Sequence, residues 1–314
     1  MADMGLLTRF SLRSVRTAGY KIKMALALFN RLRKAPEVTE PLNRVDLCFA
    51  VDSTGSMQPF INAAQQQLID VIQKLSARSP IDMQIGLVEY RDHPPQDKSF
   101  VTRINPLIGD LKKMRKIVSG LEADGGGDAP EAVYDGVFEA CTKMEWREFS
   151  CRFVLLIGDA PPHGAVNRVG MDSTGRTARR RTAVISDAWI DGCPCGLEVN
   201  AVTAAAENNR VTIHALAMEN TPVTVESFTE IARATGGHFA LATVADDVVS
   251  RIISMLDDEF RDMKFDGRML ETVRKLGRID VQAAANDASC PRLLAASSIA
   301  RLGKRGFLKE FAPS

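Results

Sequence analysis

Residues 46–57 read Asp-Leu-Cys-Phe-Ala-Val-Asp-Ser-Thr-Gly-Ser-Met. An apolar run of strand type ends at Asp52, and small polar residues follow at once. This order brings the side chains of Asp52, Thr54 and Ser56 together at the tip of a strand-to-helix turn. One carboxylate and two neutral hydroxyls make an oxygen-only, weakly charged pocket, suited to a hard divalent cation such as Mg²⁺. A cation held by so little negative charge seeks one more anionic ligand from outside. That is the logic of binding rather than of hydrolysis.

Outward from this stretch the chain alternates strand and helix. Strands are expected over 44–51, 82–90, 99–104, 152–158, 211–218 and 238–241. Helices are expected over 57–76, 108–122, 224–235 and 244–260, with another starting at Ala129-Pro130. Phe60, Ile61, Ala64, Leu68, Val71, Ile72 and Leu75 keep a helical period, as do Val248, Val249, Ile252, Ile253 and Leu256. The unbroken apolar run at 152–158 suits a strand buried on both faces. The fold class this predicts is α/β, a doubly wound (Rossmann-like), mainly parallel sheet flanked by helices. Ligands of such sheets sit beyond the carboxyl ends of the strands, where both Asp52 and Asp159 fall. A long stretch, roughly 160–196, reads as irregular.

Two later segments extend the pattern. Residues 125–131 are Gly-Gly-Gly-Asp-Ala-Pro-Glu, and residues 154–164 are Val-Leu-Leu-Ile-Gly-Asp-Ala-Pro-Pro-His-Gly. In order and spacing the three segments resemble the metal-ion-dependent adhesion site of von Willebrand factor type A domains, over roughly residues 42–263. The resemblance implies Asp52, Thr54, Ser56, Asp128 and Asp159 as the metal set and Mg²⁺ as the ion, with Mn²⁺ or Ca²⁺ as substitutes. Thr54 and Ser56 would bind directly and the three aspartates directly or through water. An Asp or Glu of a partner protein would fill the open position. One departure stands out: many members carry Thr where this chain has Asp128. The extra carboxylate lowers the net charge at the metal and weakens its pull on an acidic partner, and Glu131 is a rival for the same role. The Gly-Gly-Gly-Asp and Pro-Glu form resembles type A domains joined to alpha-kinases and related bacterial versions, which implies a kinase or multi-protein assembly as context.

The 314 residues suffice for one large or two modest domains, and 45% apolar content is ordinary for a substantial core. Net charge is +1 but uneven: residues 1–41 and 264–314 each carry +5, leaving −9 between them. The expected division is a basic helical extension and linker over 1–41, a type A domain over 42–263, and a basic, helical tail over 264–314. Tyr20, Met24, Leu28 and Leu32 stripe a basic helix at 15–34, and Leu293, Leu294, Ile299 and Leu302 a short one in the tail. The basic ends suit membrane, nucleic acid or an acidic protein, or plain solvation. No run reaches the about 18 apolar residues that span a bilayer. The six cysteines form no disulfide framework, so a reducing, cytoplasmic setting is expected, with peripheral membrane attachment or, more weakly, a mitochondrial presequence as alternatives.

Rival chemistries find less support. Cys193-Pro-Cys195 with His163 suggests Zn²⁺ but lacks a fourth ligand, and otherwise reads as a turn. Position 54 is Thr, so the paired aspartates of haloacid-dehalogenase phosphatases are missing, and neither a phosphate loop nor a serine elbow occurs. His163 falls at the rim of the metal site, His93 at the end of the second strand, and His214 inside a buried strand. Asp172-Ser-Thr-Gly175 repeats the Asp52 tetrapeptide without a strand before it, and Arg179–Arg181 share that loop. The expected function is a non-catalytic, metal-dependent protein-binding module. The alternatives are a metal-dependent phosphoryl-transfer or hydrolytic enzyme using Asp52 as nucleophile or His163 as acid, and a scaffold docking through its basic ends.

Overall fold

Alternation along β1 (Arg44–Asp52) sets the architecture. In the computed structural model, which describes residues 41–66, 81–165 and 187–311, Val45, Leu47, Phe49 and Val51 join the core on one face of a sheet, and Cys48 and Ala50 the core on the other. From Val45 to Asp52 every residue is buried, as befits a central strand covered on both sides.

The sheet order is β3-β2-β1-β4-β5-β6, with β2 at Asp82–Tyr90, β3 at Thr102–Ile108, β4 at Cys151–Gly158, β5 at Val211–Ala217 and β6 at Phe239–Leu241. All neighbours pair in parallel except β2 with β3. The expected doubly wound α/β class is the class found. Chain direction around the sheet reverses between β1 and β4, and the crevice of such a fold opens there. The third strand lies three residues later than expected and runs antiparallel. It is an edge strand, where Pro106 can lack an N–H without breaking a ladder.

On the first face lie α1, which begins at residue 58 and is described to 66, α2 (Leu111–Ser119), and the start of a long C-terminal helix. The second face carries α3 (Val133–Lys143), α4 (Val199–Asn208) and α5 (Pro222–Ala234). Helix α2 is shorter than the expected 108–122. The Asp110 carboxylate caps its start, accepting from the Lys112 and Lys113 amides at 3.0 and 3.1 Å, and Gly120 closes its end.

The expected end of the domain at 263 does not coincide with the end of an element. Helix α6 (Ala245–Leu276) runs unbroken for 32 residues and stops only at Gly277, whose φ is 66°. Its second half has its own apolar partners. Met269, Leu270 and Val273 pack with Ala284 and Ala285 of α7 (Val281–Asp287), with Ala295, Ile299 and Leu302 of α8 (Arg292–Arg305), and with Phe307. The tail then anchors to the amino ends of the strands. Arg305 Nη2 donates to the carbonyls of Leu42 at 2.7 Å and Phe149 at 2.9 Å, and Lys304 Nζ to that of Val211 at 3.1 Å. Ile299 and Leu302 face inward as expected, but Leu293 and Leu294 are exposed, because the α6 surface meets the opposite side of α8. Residues 1–40, including the expected basic helix at 15–34, and the far half of the expected 57–76 helix lie outside the described residues. Among the described residues, no helix is long and apolar enough to cross a membrane.

One polar residue is sunk at the start of β1. Asp46 is fully buried and accepts from the Arg147 amide at 2.8 Å, Arg147 Nε at 2.7 Å and Ser150 Oγ at 2.8 Å. Truncating one member of such a pair strands the rest. Asp46→Ala is expected to lower stability by about 3 kcal/mol in urea unfolding followed by circular dichroism. A midpoint within error of the parent would show that this pair does not brace the sheet.

Candidate metal centre

Because β1 and β4 run side by side, Asp52 at the end of one and Asp159 just past the end of the other open into the same crevice. Asp52 is fully buried, and its Oδ1 accepts from the Thr54 amide at 2.8 Å and from Thr54 Oγ1 at 2.6 Å. This Asx-type turn lets the chain leave the strand sharply. Thr54 Oγ1 lies 3.4 Å from Ser56 Oγ, and the Ser56 hydroxyl in turn bonds the Asp159 carboxylate.

The glycine run is folded against this turn. The Gly55 amide donates to Gly125 O at 3.3 Å and the Asp124 amide to Ser53 O at 3.1 Å. Gly125 and Gly126 have φ of 76° and 81°. A Cβ at 125 would come within 1.9 Å of Asp97 Oδ2, and one at 126 within 3.2 Å of Glu131 Oε1. Both positions therefore demand glycine. Beyond them, Asp128 Oδ2 accepts from the Ala188 amide at 2.6 Å. Glu131 is buried, its backbone fixed beside the β4 exit by a 3.0 Å bond from its amide to Pro161 O.

The structure thus draws Asp52, Thr54, Ser56 and Asp159 together. Glu131 lies among Asp52, Asp92, Asp159 and Asp128, and Asp128 lies near Asp92 and His163. Asp52 Oδ2, Asp159 Oδ1, Glu131 Oε2 and Asp128 Oδ1 are all buried without a hydrogen-bond partner. Burial and then the charge of Asp159 push the Asp52 carboxyl up to about 7, against hydrogen bonds from Thr54. Glu131 is pushed up to about 11, by burial first and then by Asp52, Asp92, Asp159 and Asp128. Burial raises Asp159 and Asp128 as well. The neighbouring cation is committed elsewhere: Arg91 donates to Ser53 Oγ at 3.3 Å, Ser99 Oγ at 3.0 Å and Glu122 O at 3.0 Å. Crowded carboxylates with spare oxygens, eased only in part by the charge of Arg91, are a donor set that fits a hard divalent cation.

His163 lies near Asp128, at the edge of the carboxylate cluster. Its Nε2 lies 2.8 Å from Asp92 Oδ1 and its Nδ1 3.0 Å from Asp187 Oδ1. Burial alone would depress its pKa, but these two bonds outweigh burial and raise it. With both nitrogens taken, His163 is not the partner of Cys193 and Cys195. Those sulfurs meet His93 and Asp135 instead, residues that sequence reading did not connect with them. The one available signal was positional, since His93 follows β2 at the same edge of the sheet. His214 sits inside β5, buried, and its Nδ1 accepts from the His238 amide at 3.2 Å, in keeping with a structural role. The repeated tetrapeptide at 172–175 and the arginines at 179–181 lie outside the described residues.

The family model described as the von Willebrand factor A domain matches residues 46–243. The chain is 34% identical over 121 residues to alpha-protein kinase vwkA of Dictyostelium discoideum, covering 38% of this chain and 19% of that one. It is 30% identical over 152 residues to a putative ariadne-like RING finger protein of Acanthamoeba polyphaga mimivirus, covering 48% and 14%. It therefore spans about a fifth or less of the length of these curated relatives. Among solved structures, proximal thread matrix protein 1 from the mussel byssus aligns with a TM-score of 0.45 at 13% identity, over 68% of this chain and 44% of that one. BatB from Bacteroides thetaiotaomicron aligns at 0.44 and 13%, over 69% and 99%. The family match covers more than half of the sequence and takes in Asp52, Asp128 and Asp159, and the chain belongs to the von Willebrand factor A domain family.

Proposed function

We propose that this chain is a non-catalytic, cytoplasmic protein-binding module that works through Mg²⁺ held at the tips of β1 and β4. Membership of the family supports a metal-dependent interaction module in general. The observation that carries the specific reading is the pair of buried, unpartnered oxygens Asp52 Oδ2 and Asp159 Oδ1 in one crevice. Charged oxygens left so cost several kcal/mol, and a divalent cation between them removes that cost. In this reading Thr54 and Ser56 bind the ion directly and Asp52 and Asp159 directly or through water. Of the two rivals for the remaining place, Glu131 is favoured, because its Oε1 lies against Gly126 beside Thr54, whereas Asp128 Oδ2 is taken by the Ala188 amide. Mn²⁺ and Ca²⁺ suit the same oxygen set.

The open position takes an Asp or Glu of the partner. The crowd of carboxylates favours a second reading in which the partner offers a neutral oxygen. The alpha-kinase and RING-type names of the relatives are in line with a module that serves a larger assembly. Capture of a partner by the immobilised chain is expected in Mg²⁺, with release by EDTA and none by Asp159→Ala. Retention in EDTA defeats the reading.

Two outcomes concern the chain alone. Mg²⁺ at about 100 times its Kd should stabilise by about 2.7 kcal/mol, a rise in Tm of about 5 °C or more. Asp52→Asn keeps the oxygen that receives Thr54 but removes the repulsion, so its metal-free Tm should rise while the Mg²⁺ response disappears. An equal Mg²⁺ response in the variant would sink the site.

The second is pH. The Asp52 carboxyl is raised in the folded chain to about 7, against about 3.9 when unfolded. The folded state thus holds its proton longer. The resulting stability is present below about pH 4 and drains away as pH climbs to about 7. Mg²⁺ must displace that proton, so its affinity should increase from pH 5.5 to 7.5 in calorimetric titrations. A decrease over that interval would contradict this assignment.

A further inference from the structure

Beside the carboxylate crevice, four side chains that it does not use meet from three separate parts of the fold. His93 follows β2, Asp135 lies in the first turn of α3, and Cys193 and Cys195 flank Pro194 ahead of α4. One ligand atom from each lies within 4.8 Å of the other three. Cys193 Sγ is 3.3 Å from His93 Nε2, 3.1 Å from Asp135 Oδ2 and 2.7 Å from Cys195 Sγ. Cys195 Sγ is 2.9 Å from Asp135 Oδ1, and His93 Nε2 is 3.1 Å from Asp135 Oδ2. Bond lengths of about 2.0–2.3 Å give a zinc tetrahedron edges of about 3.3–3.8 Å. The pairs at 2.9–3.3 Å need part by a few tenths of an ångström, and the two sulfurs, 2.7 Å apart, by about 1 Å, to enclose the ion.

The two sulfurs are presented by a built turn. Cys193 O accepts from the Gly196 amide at 2.9 Å, closing a turn in which Pro194 presets the second position. The amides of Cys195 and Leu197 donate to the sulfurs of Cys193 and Cys195 respectively. Such N–H donors orient and stabilise metal-bound thiolates. The ligand types decide between ions: paired thiolates with imidazole and one carboxylate select Zn²⁺, whereas Mg²⁺ wants oxygen alone. A catalytic thiol is the poorer reading, since a carboxylate against each sulfur disfavours the nucleophilic thiolate. His93 and Cys193 are buried and Cys195 is exposed, which leaves an entry path.

We infer that His93, Asp135, Cys193 and Cys195 form a closed, structural Zn²⁺ site that clasps the segment around residues 187–197 to the strand tips. That same segment supplies Asp187 to His163 and the Ala188 amide to Asp128. The clasp therefore fixes the neighbourhood of the carboxylate crevice without supplying a ligand to it. The zinc site stands whether or not Mg²⁺ binds at Asp52.

The test begins with the full chain, purified with its thiols reduced and without chelator. One zinc per chain is expected, and exchange with Co²⁺ should give the intense visible bands of tetrahedral, sulfur-ligated cobalt. The double variant Cys193→Ser, Cys195→Ser should lose that spectrum and bind Zn²⁺ at least about 100-fold more weakly in chelator competition. Asp52→Asn should retain both. The cobalt spectrum is read on the unaltered chain, so the test survives a double variant that fails to fold. A zinc-free chain giving only the pale spectrum of oxygen-ligated cobalt overturns the inference. So does a Cys193–Cys195 disulfide in thiol-trapped cells, or loss of zinc with Asp52→Asn.

Discussion

Acidic side chains forced against one another at the carboxyl ends of β1 and β4 are the constraint around which this domain is arranged. Elsewhere several buried acids have a basic partner. Asp46 has Arg147 at 2.7 Å, Asp266 has Arg301 at 2.7 Å, and Asp92 has His163 at 2.8 Å. At the strand tips Asp52, Asp159 and Glu131 have no ion-pair partner among the described residues, and each holds a buried oxygen with nothing bonded to it. A fold keeps such a cluster only if covalent and hydrogen-bonded structure over-determines it. Here the parallel register of β1 and β4 does so, with the Thr54 turn and the Pro161 bond to Glu131.

Arg91 shows how the cluster persists. Its guanidinium eases the charge of Asp52 without bonding it; its donors go to Ser53, Ser99 and the Glu122 carbonyl, and Asp97 and Asp124 each lie 3.9 Å away. It ties the β1 turn, the loop after β2 and the approach to the glycine run into one unit. Gly125 and Gly126 let that unit close, because any Cβ there would strike Asp97 or crowd Glu131. The cation braces the walls of the crevice and offsets the charge of Asp52 only in part.

Much of this was legible in residues 46–57 and their echoes. A strand that alternates between two cores, an Asp at its tip, and a second strand–Asp unit at 152–159 fix both the sheet and the place of the crevice. Three things were not legible. The helix over 245–276 reads as ending near 260 because its outward residues turn charged, and only packing against α7 and α8, decided by tertiary contact, carries it on. Asp128 and Glu131 are equivalent as letters. Which of them lies against the Asp52 turn is a matter of tertiary contact: Glu131 Oε1 lies by Gly126 beside Thr54, and Asp128 bonds the Ala188 amide across 60 residues. His93, Asp135 and the cysteine pair are likewise joined by topology alone, and His163 was the plausible wrong partner because it too lies at a strand end.

Two donor sets of opposite chemical character lie side by side here, and the arrangement gives them an order. The His93 and His163 rings are 5.8 Å apart, and Asp92 precedes His93 directly. Asp135 stands in the first turn of the helix that Glu131 introduces. A Zn²⁺ closed by four protein ligands would exchange slowly and would fix His93 and Asp135, and with them the backbone on either side of the crevice. The hard-oxygen set would then be completed by an ion that comes and goes with the partner. Thiolates do not serve Mg²⁺, so the soft set excludes the hard ion, while the paired sulfurs draw Zn²⁺ in preference to an oxygen-only crevice. On this reading the soft site supplies permanence and the hard site supplies reversibility, and the 187–197 segment is the part of the chain that couples them.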